Sequence, residues 1–165
     1  MSVVVVVGNP KPGSRTLAVA EVVAASLVGR PPDVVVDLVR LGPDLLDWSS
    51  PALSKAVADV QASSLTVFAS PTFKGSFTGI LKLFLDAVGT GTLGGVTAVP
   101  LMLGGDLRHS LAPEVFLKPV LNELGASCPA PGLFLLERDW DDPSALAPWL
   151  VRARPLLVPL GAGVP

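Results

Sequence analysis

The sequence predicts an α/β fold, a doubly wound sheet of five parallel strands with helices on both faces. The candidate strands are continuous apolar runs, which is typical of strands buried on both faces of a parallel sheet. Segments with helical spacing of apolar residues alternate with these runs, as βαβ units require. Half of the residues are hydrophobic, yet no apolar run approaches the roughly 20 residues of a membrane span.

The predicted strands are rich in Val, Leu and Phe and cover 3–7, 34–39, 65–69, 96–103 and 132–136. Only Asp37 interrupts the second run. Pro71 follows the third strand, and we expect it to end the hydrogen-bonded ladder because proline has no N–H. Five strands joined in this way favour the flavodoxin-like order 2-1-3-4-5.

The predicted helices follow the strands in turn and cover 14–28, 51–62, 78–88, 110–124 and 143–152. Ser49 or Ser50 is a candidate N-cap for the second helix, with Pro51 in its first turn. Asp142 is the candidate N-cap of the last helix.

The helix over 78–88 is apolar nearly all round, because Ile80, Leu83 and Ala87 lie on a different stripe from Leu81 and Leu85. A helix of this kind must be buried on two sides. One side meets the sheet, and we expect a second copy of the chain to cover the other, giving a homodimer or homotetramer. The alternative is a helix covered within one subunit.

We expect one domain over residues 1–154, followed by a C-terminal tail over 155–165 that is rich in Pro and Gly. Met1 and Ser2 lead into the first strand without a basic segment, so no signal peptide is expected. The lone Cys128 excludes an internal disulfide and favours a reducing, cytoplasmic location. With one histidine, His109, and a net charge of −2, neither a histidine metal site nor nucleic-acid binding is expected.

Ligands of doubly wound sheets bind outside the carboxyl ends of the strands, where the strand order reverses. Here that position lies between strands one and three. Three loops should line the site: the first loop (8–16), the second loop (70–76) and the third loop (104–109).

The first loop reads "GNPKPGSRT" and leads into a helix. Free N–H groups and the positive helix end favour an anion, above all phosphate. The loop lacks both the Gly-Lys-Ser/Thr of nucleoside-triphosphate loops and the G-x-G-x-x-G of dinucleotide-binding folds. A monophosphate therefore fits better. The alternative is an ordinary strand-to-helix loop with Ser14 as N-cap and Arg15 in solvent.

The second loop, within "SPTFKGSFTG", combines hydroxyls, the Lys74 ammonium and backbone N–H groups with two aromatic side chains. Such a loop suits a flat heterocycle with polar edges. Phe73 and Phe77 could instead be core or interface aromatics. In the third loop, two glycines allow close backbone approach, and Asp106 either caps the next helix or orients a ligand. His109 is expected to be structural.

Taken together, the three loops resemble the NADPH-dependent FMN reductase family, over roughly residues 3–134. The resemblance rests on "GNPKPGSRT", "SPTFKGSFTGILKLFLD" and "GGDLRHSLAPEVFLKPVLNELGA". It is strongest to the branch that supplies reduced FMN to alkanesulfonate-type two-component monooxygenases.

The resemblance implies hydride transfer from NAD(P)H to FMN, with a flavin-dependent monooxygenase as partner. It places the FMN phosphate on the first loop, the isoalloxazine edge on the second and another wall of the site on the third. It implies no catalytic side chain and no metal. The implied cofactor-binding residues are Asn9, Lys11, Ser14, Arg15, Thr16, Pro71, Thr72, Phe73, Lys74, Gly75, Ser76, Gly104, Gly105 and Asp106.

The chain departs from the family pattern at three positions. Asn9 stands where the first loop usually has Ser, and Phe73 stands where the second loop usually has Tyr. In the sulfonate branch, a Tyr in the helix after strand four accompanies an inserted residue, a π-bulge. Val115, beside Phe116, occupies that place here, so the sequence leaves the bulge open.

Three other functions are compatible with the pattern. A quinone or azo reductase would hold FMN tightly and pass electrons to quinones. A flavodoxin-like electron carrier would bind FMN without oxidising NAD(P)H. A degenerate family member would have only a structural role.

Overall fold

The computed structural model describes residues 1–157, and the sheet has the predicted order β2-β1-β3-β4-β5 with every pair parallel. The strands are β1 (Val3–Val7), β2 (Val34–Asp37), β3 (Leu65–Pro71), β4 (Thr97–Gly104) and β5 (Leu133–Leu136). All five valines of β1 are fully buried, because the strand lies in the middle of a sheet that is covered on both faces. The predicted fold class is confirmed.

The α-helices are α1 (Arg15–Val28), α2 (Pro51–Gln61), α3 (Gly79–Asp86), α4 (Lys118–Glu123) and α5 (Pro143–Leu157). Helices α1 and α5 cover one face of the sheet, and α2, α3 and α4 cover the other. Ser50, and not Ser49, is the N-cap of α2, since its hydroxyl accepts hydrogen bonds from two backbone N–H groups in the first turn. Asp142 accepts a hydrogen bond from Ser144 N at 2.8 Å, as an N-cap would.

Strand β3 continues through Pro71, so the prediction that Pro71 follows the strand is wrong. Pro71 pairs with Leu103 of β4, and the next residue, Thr72, donates its N–H to Leu103 O at 2.6 Å. Successive N–H groups of a strand face opposite neighbours. The missing N–H of Pro71 therefore falls on the β1 side, beyond the last paired residue, Val7. In a parallel ladder that N–H would face Gly8 O, which accepts from the Thr78 hydroxyl instead, so the proline leaves no acceptor unpaired.

The single helix predicted over 110–124 is wrong as well. A short 3-10 turn (Leu107–His109) is followed by a π-helix (Pro113–Leu117) and only then by α4. Pro113 and Pro119 lack two of the N–H donors that an uninterrupted α-helix would use. In the π-helix, Lys118 N donates to Pro113 O, five residues back. The π-helix is therefore present although the chain has no tyrosine.

Other predicted boundaries move by one to five residues, among them those of β2 and α5. Strand β2 ends at Asp37, and Leu38–Arg40 forms a 3-10 turn where the strand was expected to continue to residue 39. Helix α5 passes residue 152 and extends to Leu157, the last described residue, because its apolar stripe continues over Trp149, Ala153 and Leu157 into the core. The rest of the predicted tail, residues 158–165, lies outside the described residues.

Within residues 1–157, no helix has both the length and the apolar character that crossing a bilayer requires.

Candidate functional site

The first loop is held in shape by its own side chains. Asn9 Oδ1 accepts a hydrogen bond from Lys11 N at 2.9 Å, and Asn9 Nδ2 donates to Thr16 Oγ1 at 2.9 Å. Both polar groups of Asn9 are thus used inside the loop, which joins its beginning to the first turn of α1. Asn9 shapes the loop more than it offers donors to a ligand.

Helix α1 begins within this loop. Ser14 is its N-cap, with the hydroxyl accepting from Leu17 N at 3.2 Å. Thr16 is buried, whereas Arg15 is exposed and forms no ion pair among residues 1–157. The first turn of a helix has unsatisfied N–H groups, so this turn presents donors and a positive end. The loop therefore offers the hydrogen-bond donors and the positive helix end that bind an anion.

A cavity of about 190 Å³ opens against this turn. Its lining contains all five predicted phosphate-binding residues together with two others: Asn9, Lys11, Ser14, Arg15, Thr16, Leu103 and Glu137. The sequence reasoning missed Leu103 and Glu137. The available signal for Glu137 was its position directly after β5, at the same edge of the sheet as the three loops. The Glu137 carboxylate lines the same cavity as the Lys11 and Arg15 cations, so it lowers the net positive charge of the cavity.

The second loop closes in a tight turn. Phe73 N donates to Ser76 O at 2.9 Å and Ser76 N donates to Phe73 O at 3.1 Å. Lys74 and Gly75 have φ of 54° and 82°, as a type I′ turn requires. A lysine in this left-handed region is uncommon and costs about 1 kcal/mol. The turn leaves Phe73 52 % exposed.

Buried hydroxyls tie the second loop to the first. Ser70 Oγ accepts from Thr78 N at 3.0 Å, and Thr78 Oγ1 donates to Gly8 O. Gly8 N in turn donates to Ala69 O at 2.8 Å. Phe77 is half-buried against the core, as its structural interpretation predicted. The two loops are therefore fixed to each other across the β1–β3 edge.

The second and third loops meet at Thr72 and Gly104. Thr72 Oγ1 is buried and has no hydrogen-bond partner among the described residues. A Cβ on Gly104 would lie 3.1 Å from that oxygen and 2.7 Å from Phe134 Cζ, so only glycine fits there. A buried hydroxyl without a partner is costly, and this oxygen is enclosed where the second and third loops meet.

The third loop uses Asp106 as a cap. Its Oδ1 accepts from Arg108 N and its Oδ2 from Arg108 Nη2, both at 2.8 Å. The hydrogen bond from the Arg108 side chain, with that from its N–H, lowers the pKa of Asp106 to about 2. The carboxylate is thus committed to Arg108. Gly105 is exposed and has open space beside it.

The chain has a single histidine, His109, and a single cysteine, Cys128. His109 lies near the second loop, since a Cβ on Gly75 would be 3.7 Å from His109 Nδ1. Cys128 is buried, which raises the pKa of its thiol to about 11. It is therefore a neutral thiol at physiological pH.

The π-helix beside the third loop is braced by Glu114. This carboxylate accepts from Gly132 N at 2.7 Å and from Lys118 Nζ at 2.7 Å. Burial alone would raise the pKa of Glu114, but the two hydrogen bonds outweigh it and hold the pKa below its ordinary value of 4.5. The brace joins the π-helix to the chain that enters β5.

Replacing Glu114 with Gln should lower the free energy of unfolding by about 1 kcal/mol at neutral pH, because a charged acceptor is lost. Because the pKa of Glu114 is lower in the folded chain than in the unfolded chain, the ionised carboxylate stabilises the fold at pH values above the unfolded-state pKa. This contribution is lost as pH falls through the folded-state pKa. The difference from wild type should therefore shrink as pH falls below 4.5. Urea unfolding across pH measures it. Glu123→Gln, an exposed change in α4, is the control. If the difference in the free energy of unfolding between wild type and Glu114→Gln does not change with pH, the Glu114 carboxylate does not stabilise the fold as described.

Comparisons with known proteins agree with this geometry. The family model described as NADPH-dependent FMN reductase matches residues 1–141. The FMN reductase (NADPH) of Escherichia coli K12 is 33 % identical over 138 residues, which cover 81 % of this chain and 72 % of that protein. The NADH-dependent FMN reductase SfnF of Pseudomonas fluorescens Pf0-1 is 28 % identical, covering 86 % and 80 %.

A solved structure has the same architecture. The apo form of the NADH:FMN oxidoreductase EMOB superposes with a TM-score of 0.86 at 28 % identity, covering 98 % of this chain and 90 % of that one.

Proposed function

This chain belongs to the NADPH-dependent FMN reductase family, and on that premise we propose how it binds FMN and where the reduced flavin goes. It is an oxidoreductase that uses FMN and NAD(P)H. In our proposal the FMN phosphate lies on the first loop, the isoalloxazine edge lies along the second, and the reduced flavin passes to a monooxygenase.

The cavity at the start of α1 carries this proposal. A phosphate there would meet the free N–H groups of the first helical turn, the hydroxyls of Ser14 and Thr16, and the cations of Lys11 and Arg15. Helix N-termini of this kind bind phosphate through both hydrogen bonds and the helix dipole. At about 190 Å³, the cavity suits one phosphate group better than a whole nucleotide.

The second and third loops fit the ring of the same ligand. The turn over 73–76 presents Phe73 and the Lys74 ammonium at the carboxyl edge. The surface beside Gly105, next to Gly104 and Thr72, would form the opposite wall. Asp106, held by Arg108, keeps the third loop in place and is not itself expected to bond the flavin.

When bound, FMN supplies the hydride-accepting chemistry. The chain holds the flavin so that a nicotinamide ring can stack on its exposed face. This requires no catalytic acid or base from the protein. Lys11, Arg15 and Lys74 would steer anionic cofactors to the site of an acidic protein.

The direct test mixes the purified protein with NADH or NADPH and FMN and follows the nicotinamide absorbance. We expect oxidation that depends on added FMN. No FMN-dependent oxidation at micromolar protein would contradict the proposal. A protein that is yellow as purified and reduces quinones faster than free FMN would instead be the quinone reductase considered above. One that binds FMN without turnover would be an electron carrier.

We further propose a homodimer or homotetramer in the cytoplasm. The outer stripe of α3, Ile80, Leu83 and Ala87, is only half-buried in the single chain. Leu111, Val115 and Phe116 near the π-helix are between 48 % and 67 % exposed. Apolar surface of this extent supports contact with a second copy.

A further inference from the structure

A buried carboxylate lies behind the first loop. Asp37 is the last residue of β2 and pairs with Val7, the residue just before that loop. Its side chain is only 4 % exposed. It does not line the cavity at the start of α1.

The bonding of Asp37 is sparse for a charge at this depth. Oδ2 accepts from Gly13 N at 3.5 Å and from Arg40 Nε at 3.3 Å, both long contacts. Oδ1 is buried and has no hydrogen-bond partner among residues 1–157. A buried carboxylate with so few partners is destabilising, so stability does not explain an acid at this position.

The contact with Gly13 N connects the Asp37 carboxylate to the first loop. Gly13 has φ +60° and directly precedes Ser14, the N-cap of α1. Asn9 ties the beginning of the loop to Thr16, and the N–H of Gly13 contacts the end of β2 through Asp37 Oδ2 at 3.5 Å. A bond to Gly13 N therefore sets the direction in which Ser14 and the first helical turn face the cavity.

We propose that Asp37 is a positioning residue for the phosphate of FMN: it holds Gly13 so that the first turn of α1 is preorganised before the ligand arrives. This inference rests on the proposed function. Preorganisation lowers the ordering cost of binding, and the proposal requires this gain to exceed the repulsion between carboxylate and phosphate. The effect is confined to ligands that carry the phosphate.

The test compares FMN with riboflavin, which has the same ring and no phosphate. Dissociation constants are measured by flavin fluorescence for wild type, Asp37→Ala and Asp37→Asn. In Asp37→Ala, FMN should bind about tenfold more weakly while riboflavin changes by less than about twofold. Asp37→Asn keeps a side-chain acceptor for Gly13 N, so it should recover much of the FMN affinity. If the alanine variant fails to fold, Asp37→Leu takes its place: it fills a similar buried volume, has no acceptor for Gly13 N, and should weaken FMN binding as Asp37→Ala does.

Asp33→Ala is the matched control. Asp33 lies at the other end of β2, where it accepts from Val3 N at 2.7 Å and pairs with Arg30. Its loss should lower the unfolding temperature without changing the preference for FMN over riboflavin. A purely structural role for Asp37 would give the same pattern as Asp33.

Four outcomes would overturn the proposal. Equal weakening of FMN and riboflavin in Asp37→Ala would show a general loss of structure. Tighter FMN binding by Asp37→Asn would show that repulsion dominates. Wild type that binds FMN no better than riboflavin would overturn the phosphate site itself, and so the proposed function. A wild-type preference that persists in both variants overturns only the role of Asp37.

Discussion

Replacing Gly8 with alanine is expected to lower the free energy of unfolding by about 3 kcal/mol. A Cβ at Gly8 would overlap Leu81 Cβ and lie 3.0 Å from both N and Cα of Leu81. These atoms belong to the backbone and stem of α3, so no flexible side chain can move aside. Helix α3 would have to shift away from β1, which would also disturb the bond from Thr78 to Gly8 O.

Gly79→Ala provides the control for Gly8→Ala. Gly79 begins α3 two residues before Leu81, and a Cβ there meets nothing within 4 Å. Alanine at this position should be neutral or slightly stabilising. Urea unfolding of both variants gives the comparison. Equal stability of the two variants would show that α3 does not pack against Gly8 as described.

Replacing Arg15 with alanine is expected to weaken FMN binding by about 10-fold to 100-fold, the loss of one charge-assisted hydrogen bond to phosphate. The free energy of unfolding should change by less than about 0.5 kcal/mol, because Arg15 is exposed and forms no ion pair within the described part of the chain. Fluorescence titration with FMN and thermal unfolding separate the two effects.

Arg152→Ala removes an equal charge from the exposed surface of α5 and should leave FMN affinity nearly unchanged. Riboflavin should bind Arg15→Ala and wild type alike, since it lacks the phosphate. If FMN affinity survives in Arg15→Ala, or if riboflavin weakens as much as FMN, the phosphate does not lie beside Arg15.

The sheet and the edge at which the three loops meet were predictable because both follow from short-range patterns. Five runs of apolar residues separated by helical spacing leave few topologies for a parallel sheet. Strand order then places the three loops at one edge. The five first-loop residues predicted to bind phosphate do line one cavity.

Pro71 and the helix predicted over 110–124 show where such patterns fail. The rule that proline ends a ladder ignores which neighbouring strand its missing N–H would face. That depends on where β1 stops relative to β3. The π-helix is likewise braced by Glu114, which accepts a hydrogen bond from Gly132 N, eighteen residues away in the chain, a contact that local spacing does not predict.

The sequence by itself determined the buried strands, their order and the edge at which the loops meet. The spacing of apolar residues along the chain shows which segments are buried, and the connections between those segments limit the strand order. Only the tertiary structure decided which groups of those loops remain available. Asn9 is used within its own loop, Asp106 is committed to Arg108, and Glu137 enters the cavity from β5. The bonds of Asn9 and Asp106 join residues only two to seven positions apart, but residue types alone do not fix which of the possible partners is used. The approach of Glu137 joins segments distant in the chain, which no local pattern records.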